Sequence, residues 1–500
     1  MHDKRAKRQD VIHALEEAGG VRPGAAKAVM EATGIPEAEV YGTATFYELL
    51  KNPGVPRVCT GTSCQLRGAG ALLAKLRAQG EVVEASCLGQ CDRAPAMLDG
   101  QLEATSEAPR GPVTPDDPEL AVNLGGADDA SYSALARAQA LGADAVLAEV
   151  KAAGLQGRGG AGFPAHIKWS GVRGAAARDG ALEPCVVVNA DEAEPGTFKD
   201  REVMLRRPHR LVEGLAIAAW AVGAKEAWIY IRGEFVDCHR AVEAAIEAAG
   251  PDLQIHLVEG HGAYICGEET ALLESIEGKR GMPRLKPPFP TEKGLFGRPT
   301  LVHNVETLAC VPSIVQRGGE WFHGLGRTEP GTKLYCISGH VKQPGVYELP
   351  TGVTLDELVA AAGGYDGTPR AFSPGGASSG FLPMSYRDTP LDFGSLAKTG
   401  SMMGSAGVVV LNDTVDMAVA ARWGQQFFED ETCGQCAPCR IGCSVQKLAI
   451  DRYLEDRDAT HLGEVDTVHE VMVEGSICGL GMTASMPLQS ARKHFPEDFA

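Results

Sequence analysis

The chain contains no stretch able to cross a bilayer: its longest nearly apolar run, Leu215 to Ala224, is about half of what a membrane helix needs. Its opening residues, MHDKRAKRQD, carry no apolar segment, so no secretory leader is expected. Basic charge is also scarce, with 47 Lys and Arg against 65 Asp and Glu and a net charge of −18. Without a basic footprint, nucleic-acid binding is not expected. No internal repeat is visible. Together these absences point to a soluble protein of a reducing, cytoplasmic compartment, and 500 residues are enough for three to five domains.

What the chain does have is fourteen cysteines, unevenly placed. Cys59, Cys64, Cys87 and Cys91 form one group, and Cys433, Cys436, Cys439, Cys443 and Cys478 a second. In a reducing compartment clustered thiols are read as metal ligands before disulfides. Cys433, Cys436 and Cys439, spaced three positions apart, can converge from one loop onto one face of a cube, and Cys478 in SICGLG can close the site. Structural zinc sites usually pair two C-x2-C knuckles, so this spacing points to a 4Fe-4S cluster rather than zinc. Cys443 is then expected as a small core hydrophobe.

Helical patterns broken by Gly and Pro occupy residues 1–55 and predict a small bundle. Residues 56–110 alternate strand, helix, strand and a Cys-rich turn, and the Pro/Asp/Gly-rich stretch 111–130 reads as a linker. A larger α/β region covers 131–330, with a helix expected at Ala134 to Ala153, strands at Cys185 to Asn189 and Ala227 to Ile231, and helices at Leu211 to Val222 and His239 to Ala249. Residues 331–413 read as a β-grasp insert and 414–500 as mostly helical.

Gly157-Arg-Gly-Gly-Ala-Gly162 satisfies G-x-G-x-x-G, but it follows a helical pattern rather than a strand, so the ordinary dinucleotide fingerprint fails on context. What survives is a need for bare backbone near a phosphate or flat ring, with Arg158 and Lys168 supplying charge. The strand CVVVN runs into ADEAEPGTFKDR, a dense polar loop at the carboxyl end of a strand, where ligands favour binding. YICGEET and RLKPPFP add paired carboxylates, a lysine and an aromatic held by prolines.

These segments resemble the NADH-binding flavoprotein subunit of respiratory complex I and its relatives in soluble NAD-reducing hydrogenases and formate dehydrogenases. GLQGRGGAGFPAHIKWS, VNADEAEPGTFKDR, GAYICGEETALLESIEGKRGMPRLKPPFP, HNVETL and ETCGQCAPCRIG stand in family order from about Ala130 to the end. The resemblance implies an FMN-binding α/β domain, a β-grasp insert of the SLBB kind, and a C-terminal helical bundle holding the 4Fe-4S cluster. It also implies that Gly157, Arg158, Gly159, Gly160, Lys168, Asn189, Asp191, Gly267, Glu268 and Asn304 hold FMN. Phe163, Glu194, Glu269, Lys286 and Phe289 would face NAD(H), with Glu194 the catalytic residue. Two departures stand out: His303 replaces a common Asn, and Gly171 stands where many relatives have a Phe that stacks on the nucleotide.

The N-terminal part resembles the thioredoxin-like 2Fe-2S subunit that partners this flavoprotein. YGTATFY, Cys59-x4-Cys64 and CLGQC with DRAPAML follow its pattern, which implies a 2Fe-2S cluster on Cys59, Cys64, Cys87 and Cys91. The gap from Cys64 to Cys87 is shorter than in that family, so a strand or hairpin is expected to be missing. The fusion most resembles the β (diaphorase) subunit of soluble NAD-dependent molybdenum formate dehydrogenase. That implies as partners a molybdenum- and iron-sulfur-containing catalytic subunit and a small 2Fe-2S subunit. A hydrogenase diaphorase, a complex-I-type NADH dehydrogenase and a flavin-free docking scaffold are the alternatives.

Overall fold

Apolar stripes at helical spacing build the N-terminal bundle: Val11, Ile12 and Leu15 of helix Val11–Glu17 pack with Val29 of Ala25–Thr33 and Val40 of Glu37–Ala44. The computed structural model describes residues 8–99, 103–104, 113–114, 120–178, 180, 182–250 and 252–500. The bundle does not close on itself. Its core is continuous with Val187, Trp228 and Tyr230 of the central sheet, so it forms one of that sheet's covering layers.

Next come strands β1 (Arg57–Cys59), β2 (Val83–Ala85), β3 (Met97–Asp99) and β4 (Glu103–Ala104), in sheet order β2-β1-β3-β4. β1 and β2 are parallel and β3 is antiparallel to β1, with helix Ala69–Arg77 packed on them through Ala69 and Leu73. Among the described residues this region forms a four-stranded sheet across the short spacing between Cys64 and Cys87.

Of the 111–130 stretch expected as a linker, residues 111–112 and 115–119 lie outside the described residues. β5 (Val113–Thr114) adds a strand to the edge of the β-grasp sheet. Further on, the Asn123 backbone and side-chain amides and the Leu124 N–H all donate to the buried Glu348 carboxylate at 2.9–3.1 Å. Polar composition marks this stretch as irregular, yet a buried acceptor needs donors, and these amides supply them.

The central domain is a parallel sheet of β6 (Cys185–Ala190), β7 (Glu226–Arg232), β8 (Gln254–Gly260) and β9 (Thr300–Asn304), ordered β8-β7-β6-β9. Both faces are buried, as a parallel sheet requires. Along β6, Val186 and Val188 meet helices Pro208–Val222 and Val305–Arg317 through Leu215 and Leu308, while Cys185 and Val187 face the N-terminal bundle and helix Glu269–Ile276. The single helix expected over 134–153 is two, Ser133–Leu141 and Ala143–Ala152, broken at Gly142 with φ +90°. The β-grasp insert comprises β10 (Thr332–Gly339), β11 (Gly345–Pro350), β12 (Pro369–Ser373), β13 (Leu382–Pro383) and β14 (Gly407–Asn412). Helices Met417–Glu431, Ala437–Asp456, Val465–Gly475, Gly479–Thr483 and Met486–His494 complete the chain. Among the described residues no helix is long and apolar enough to cross a membrane.

Candidate functional site

The glycine segment closes as a loop, its ends joined by the Gly157 N–H donating to the Phe163 carbonyl at 2.9 Å. Gly160, at φ +137°, holds a conformation closed to other residues, and a Cβ on Gly159 would sit 3.0 Å from Asn304 Cβ. Bare backbone therefore lies against Asn304, which caps helix Val305–Arg317 by accepting from the Glu306 N–H at 3.0 Å. Arg158 departs from the sequence expectation of charge at this cradle. Its guanidinium is fully buried and donates to the Pro330 carbonyl at 2.9 Å, pointing toward the β-grasp insert.

Asn304 is held in turn by charge the sequence reading missed. Asp200 accepts from its Nδ2, and Lys199 donates to its Oδ1 at 3.3 Å. Lys199, wholly buried, also pairs with Asp200 at 2.7 Å and Glu306 at 3.1 Å, and Glu306 reaches Lys333. Buried charges are tolerated only when paired, and here each cation meets a carboxylate. The signal was present in the run FKDR next to HNVET, but only the fold brings those segments together.

The acidic loop leaves the end of β6. Asn189 Nδ2 donates to the Gly267 carbonyl at 2.7 Å, and a Cβ on Gly267 would stand 3.4 Å from the Asp191 carbonyl, so the loop and the YICGEET segment meet through bare backbone. Asp191 Oδ2 is buried without a hydrogen-bond partner, and burial pushes its carboxyl well above the usual range against the pull of Arg232. An orphaned buried acceptor beside glycine backbone fits a ligand with a donor on a planar edge, so the residues present fit FMN.

Glu194 lies three residues further along the loop than Asp191. Its carboxylate accepts from the Tyr264 hydroxyl, from the Ser378 N–H at 2.9 Å and from the Ser378 hydroxyl at 3.2 Å. Burial raises its carboxyl above the ordinary value despite these donors. Tyr264 and Ser378, one on each side of the β-grasp boundary, are positioning residues the sequence reading did not find.

Lys168, Glu269, Lys286 and Glu268 form a chain of ion pairs at 2.8, 3.6 and 2.9 Å. Burial raises the Glu269 carboxyl, but Lys168 and Lys286 outweigh it and hold it below the ordinary value. Glu268 also caps helix Glu269–Ile276, accepting from the Thr270 and Ala271 N–H groups at 2.8 and 2.9 Å. Phe163 and Phe289 remain 45% and 52% exposed, available to a stacking ring. Gly171 is exposed and faces Thr291, where an added Cβ would make ordinary contact at 3.5 Å. His303 points the other way, buried, its Nε2 accepting from Trp169 Nε1 at 2.8 Å. Burial and then Lys168 push its pKa down to about 3, so it stays neutral.

Both cysteine groups are made of free thiols. Cys433, Cys436, Cys439 and Cys478 pack around the same apolar core as Cys443, whose sulfur lies 3.8 Å from that of Cys439 on the same helix. Cys59, Cys64, Cys87 and Cys91 are all buried, with Cys59 in reach of Cys64 and Cys87, and Cys87 in reach of Cys91. Among the described residues no three His, Cys, Asp or Glu side chains meet closely enough for a single metal ion. An iron-sulfur cluster spreads four thiolates over several irons, one on each iron of a 4Fe-4S cluster and two on each iron of a 2Fe-2S cluster, and these donor sets fit that chemistry.

The acidic loop also reaches the first thiol group. A Cβ on Gly61 would stand 3.6 Å from Cys59 Sγ and 3.9 Å from Pro195 Cβ, and the Gly196 N–H faces Cys91. A cavity of about 810 Å³ opens beside this junction, lined among others by Cys87, Asp191, Arg232, Tyr264, Trp423 and Glu431. The acidic loop thus starts at Asn189, whose carbonyl Asn304 Nδ2 approaches at 3.5 Å, and reaches the thiol group at Pro195 and Gly196.

Family models match along most of the chain: a thioredoxin-like [2Fe-2S] ferredoxin over residues 1–103, the Nuo51 FMN-binding domain over 150–313, an SLBB domain over 334–382, and the NADH-ubiquinone oxidoreductase-F iron-sulfur binding region over 419–500. An F subunit (F 2) of NADH-quinone oxidoreductase, that of Rhizobium meliloti (strain 1021), is 47% identical over 374 residues, 71% of this chain and 88% of that protein. The NADH-quinone oxidoreductase F subunit of Mycobacterium tuberculosis (strain ATCC 25618 / H37Rv) is 43% identical over 390 residues, 74% of this chain and 86% of that protein. Among solved structures, NAD+-reducing [NiFe]-hydrogenase in the H2-reduced state matches with TM-score 0.89 and 31% identity, covering 98% of this chain and 92% of that one.

Proposed function

Because the chain belongs to the family of NADH-quinone oxidoreductase F subunits, with a thioredoxin-like [2Fe-2S] region fused ahead of it, we propose that it is the NAD-reducing diaphorase subunit of a soluble, cytoplasmic NAD-dependent formate dehydrogenase. The complex would convert formate and NAD+ to CO2 and NADH, with formate oxidised at a molybdenum- and iron-sulfur-containing subunit and a small 2Fe-2S subunit alongside. The observation that carries the diaphorase role is the acidic loop, whose first residue Asn189 is held by Asn304 beneath the glycine cradle and whose Pro195 and Gly196 meet the four N-terminal thiols.

When bound, FMN supplies the exchange between a hydride pair and single electrons. The chain's residues do the positioning. Gly157, Gly159 and Gly160 admit it by bare backbone, with Arg158 contributing its main chain; Lys168 offsets negative charge, and Asn189, Asp191, Gly267, Glu268 and Asn304 offer polar groups. Glu194, aimed by Tyr264 and Ser378, would orient the nicotinamide, while Phe163, Glu269, Lys286 and Phe289 receive the rest of the nucleotide. Cys433, Cys436, Cys439 and Cys478 would hold the 4Fe-4S cluster, and Cys59, Cys64, Cys87 and Cys91 the 2Fe-2S cluster.

A hydrogenase-linked diaphorase is the second reading, favoured by the match of nearly the whole fused chain to NAD+-reducing [NiFe]-hydrogenase. NAD+ reduction by the native complex, driven in parallel by formate and by H2, separates the two. Formate-driven turnover supports the first reading, and turnover with H2 alone replaces it with the second. Glu194→Gln is expected to slow NADH-driven dye reduction about tenfold or more while FMN stays bound, consistent with loss of one positioned charged group. Equal rates would show that the nucleotide site lies elsewhere, and a purified chain without flavin absorbance would leave only a docking scaffold.

A further inference from the structure

β7 ends at Arg232, a buried cation each of whose three nitrogens donates to a protein acceptor. One Nη donates to the Glu192 carbonyl of the acidic loop at 2.7 Å, and the other donates to the Cys87 carbonyl at 2.6 Å. Glu234, itself buried, accepts from Nε at 3.0 Å and from Nη2 at 2.7 Å. Surrounding carboxylates keep the guanidinium protonated in spite of its burial. Below it lies Phe235, its ring 5.1 Å from the guanidinium carbon. Gly89, at φ +63°, rests on that same ring so closely that a Cβ would come within 2.6 Å of it. The Cys87–Cys91 loop therefore sits on a platform supplied by the central domain. A second guanidinium, Arg201, anchors the loop's far end through the Gly89 carbonyl at 2.7 Å and Gln90 Oε1 at 2.9 Å, and pairs with Asp92 and Glu202.

We propose that Arg232 and Glu234 set the reduction potential of the N-terminal 2Fe-2S cluster from the flavin-domain side. This rests on the reading that Cys59, Cys64, Cys87 and Cys91 hold that cluster. Reduction adds one electron, and so one negative charge, to the cluster. In a buried, weakly screened setting a cation hydrogen-bonded to a ligand's carbonyl favours the reduced form, and a carboxylate opposes it. Arg232 is a positioning residue because it acts through the Cys87 peptide and touches no iron. Because it also holds the Glu192 carbonyl, one residue ties the cluster loop to the loop that flanks the flavin cradle.

The test is an anaerobic potentiometric titration of the full-length chain followed by electron paramagnetic resonance, with the 4Fe-4S signal as internal reference. Arg232→Met is expected to move the 2Fe-2S midpoint negative, Arg232→Lys to move it less, and Glu234→Gln to move it positive, with the 4Fe-4S midpoint unmoved. Opposite signs for the two charge removals are what a purely structural role would not produce. Shifts of the same sign, or none, overturn the proposal. If Arg232→Met does not assemble the cluster, Glu234→Gln decides alone: a positive shift supports the proposal and any other result overturns it. A wild-type chain lacking the 2Fe-2S signal, with about four irons per FMN, overturns the underlying site reading instead.

Discussion

Glu348 shows how a single buried carboxyl organises a segment that composition alone would leave free. It accepts from Asn123, Leu124 and the Thr332 hydroxyl, and burial pushes its pKa up to about 7, above the ordinary 4.5. The folded state therefore holds a proton that the unfolded chain has released between these two values, so this group's contribution to stability is fully present below about 4.5 and is lost as pH rises through about 7. The loss is on the order of 3 kcal/mol across that window. Glu348→Gln is expected to flatten this part of the profile, read as the thermal midpoint against pH. A variant retaining the wild-type slope would assign the effect to other carboxyls. Arg158 makes a complementary point. GRGG reads as a charged phosphate loop, but the side chain is directed inward to the Pro330 carbonyl, and the main-chain N–H donates to Thr307 Oγ1 at 2.8 Å.

Among the elements, the central sheet is the one most dependent on its neighbours. Val187, Trp228 and Tyr230 lie against the N-terminal bundle, so a region that resembles a separate subunit is also a covering layer. On the other face, helices Pro208–Val222 and Val305–Arg317 cross at Gly214, where a Cβ would come within 2.1 Å of the Leu308 carbonyl oxygen. Gly214→Ala must push the helices apart and is expected to cost about 1–3 kcal/mol, visible in denaturant unfolding. Because the second helix begins at Asn304, that variant should also weaken FMN retention. Unchanged stability would mean that the crossing relaxes freely.

For the molecule as a whole, metal content is the decisive quantity. Both thiol groups and the FMN-binding domain lie in one chain, and about six irons per FMN are expected from one 2Fe-2S and one 4Fe-4S cluster. About four would leave the N-terminal group without a cluster. The contacts argue that the thioredoxin-like region is built in rather than tethered. Arg201 and Arg232 grip its Cys87–Cys91 loop, Ser63 meets Ser338 of the β-grasp insert at 2.8 Å, and Ser86 donates to Glu431 of the C-terminal helices.

The α/β organisation and a 4Fe-4S cluster were legible in the chain itself, because thiol spacing and apolar periodicity are local patterns that report chemistry and secondary structure directly, while the family, FMN, NAD(H) and the 2Fe-2S cluster were what the resemblance of its motifs implied. The β6 strand and the helix ending at Val222 emerged from periodicity alone. The break at Gly142 did not, since one glycine within an Ala-rich helical pattern is compatible with continuation. Only the tertiary structure decided which way Arg158 points, that Lys199 and Asp200 support Asn304, that Tyr264 and Ser378 aim Glu194, and that Arg232 joins two loops more than a hundred residues apart in sequence. Each of these is a pairing of a buried polar group with a distant partner. The residue's identity states the need for a partner, while the choice among many candidates depends on which segments the packing brings within about 3 Å.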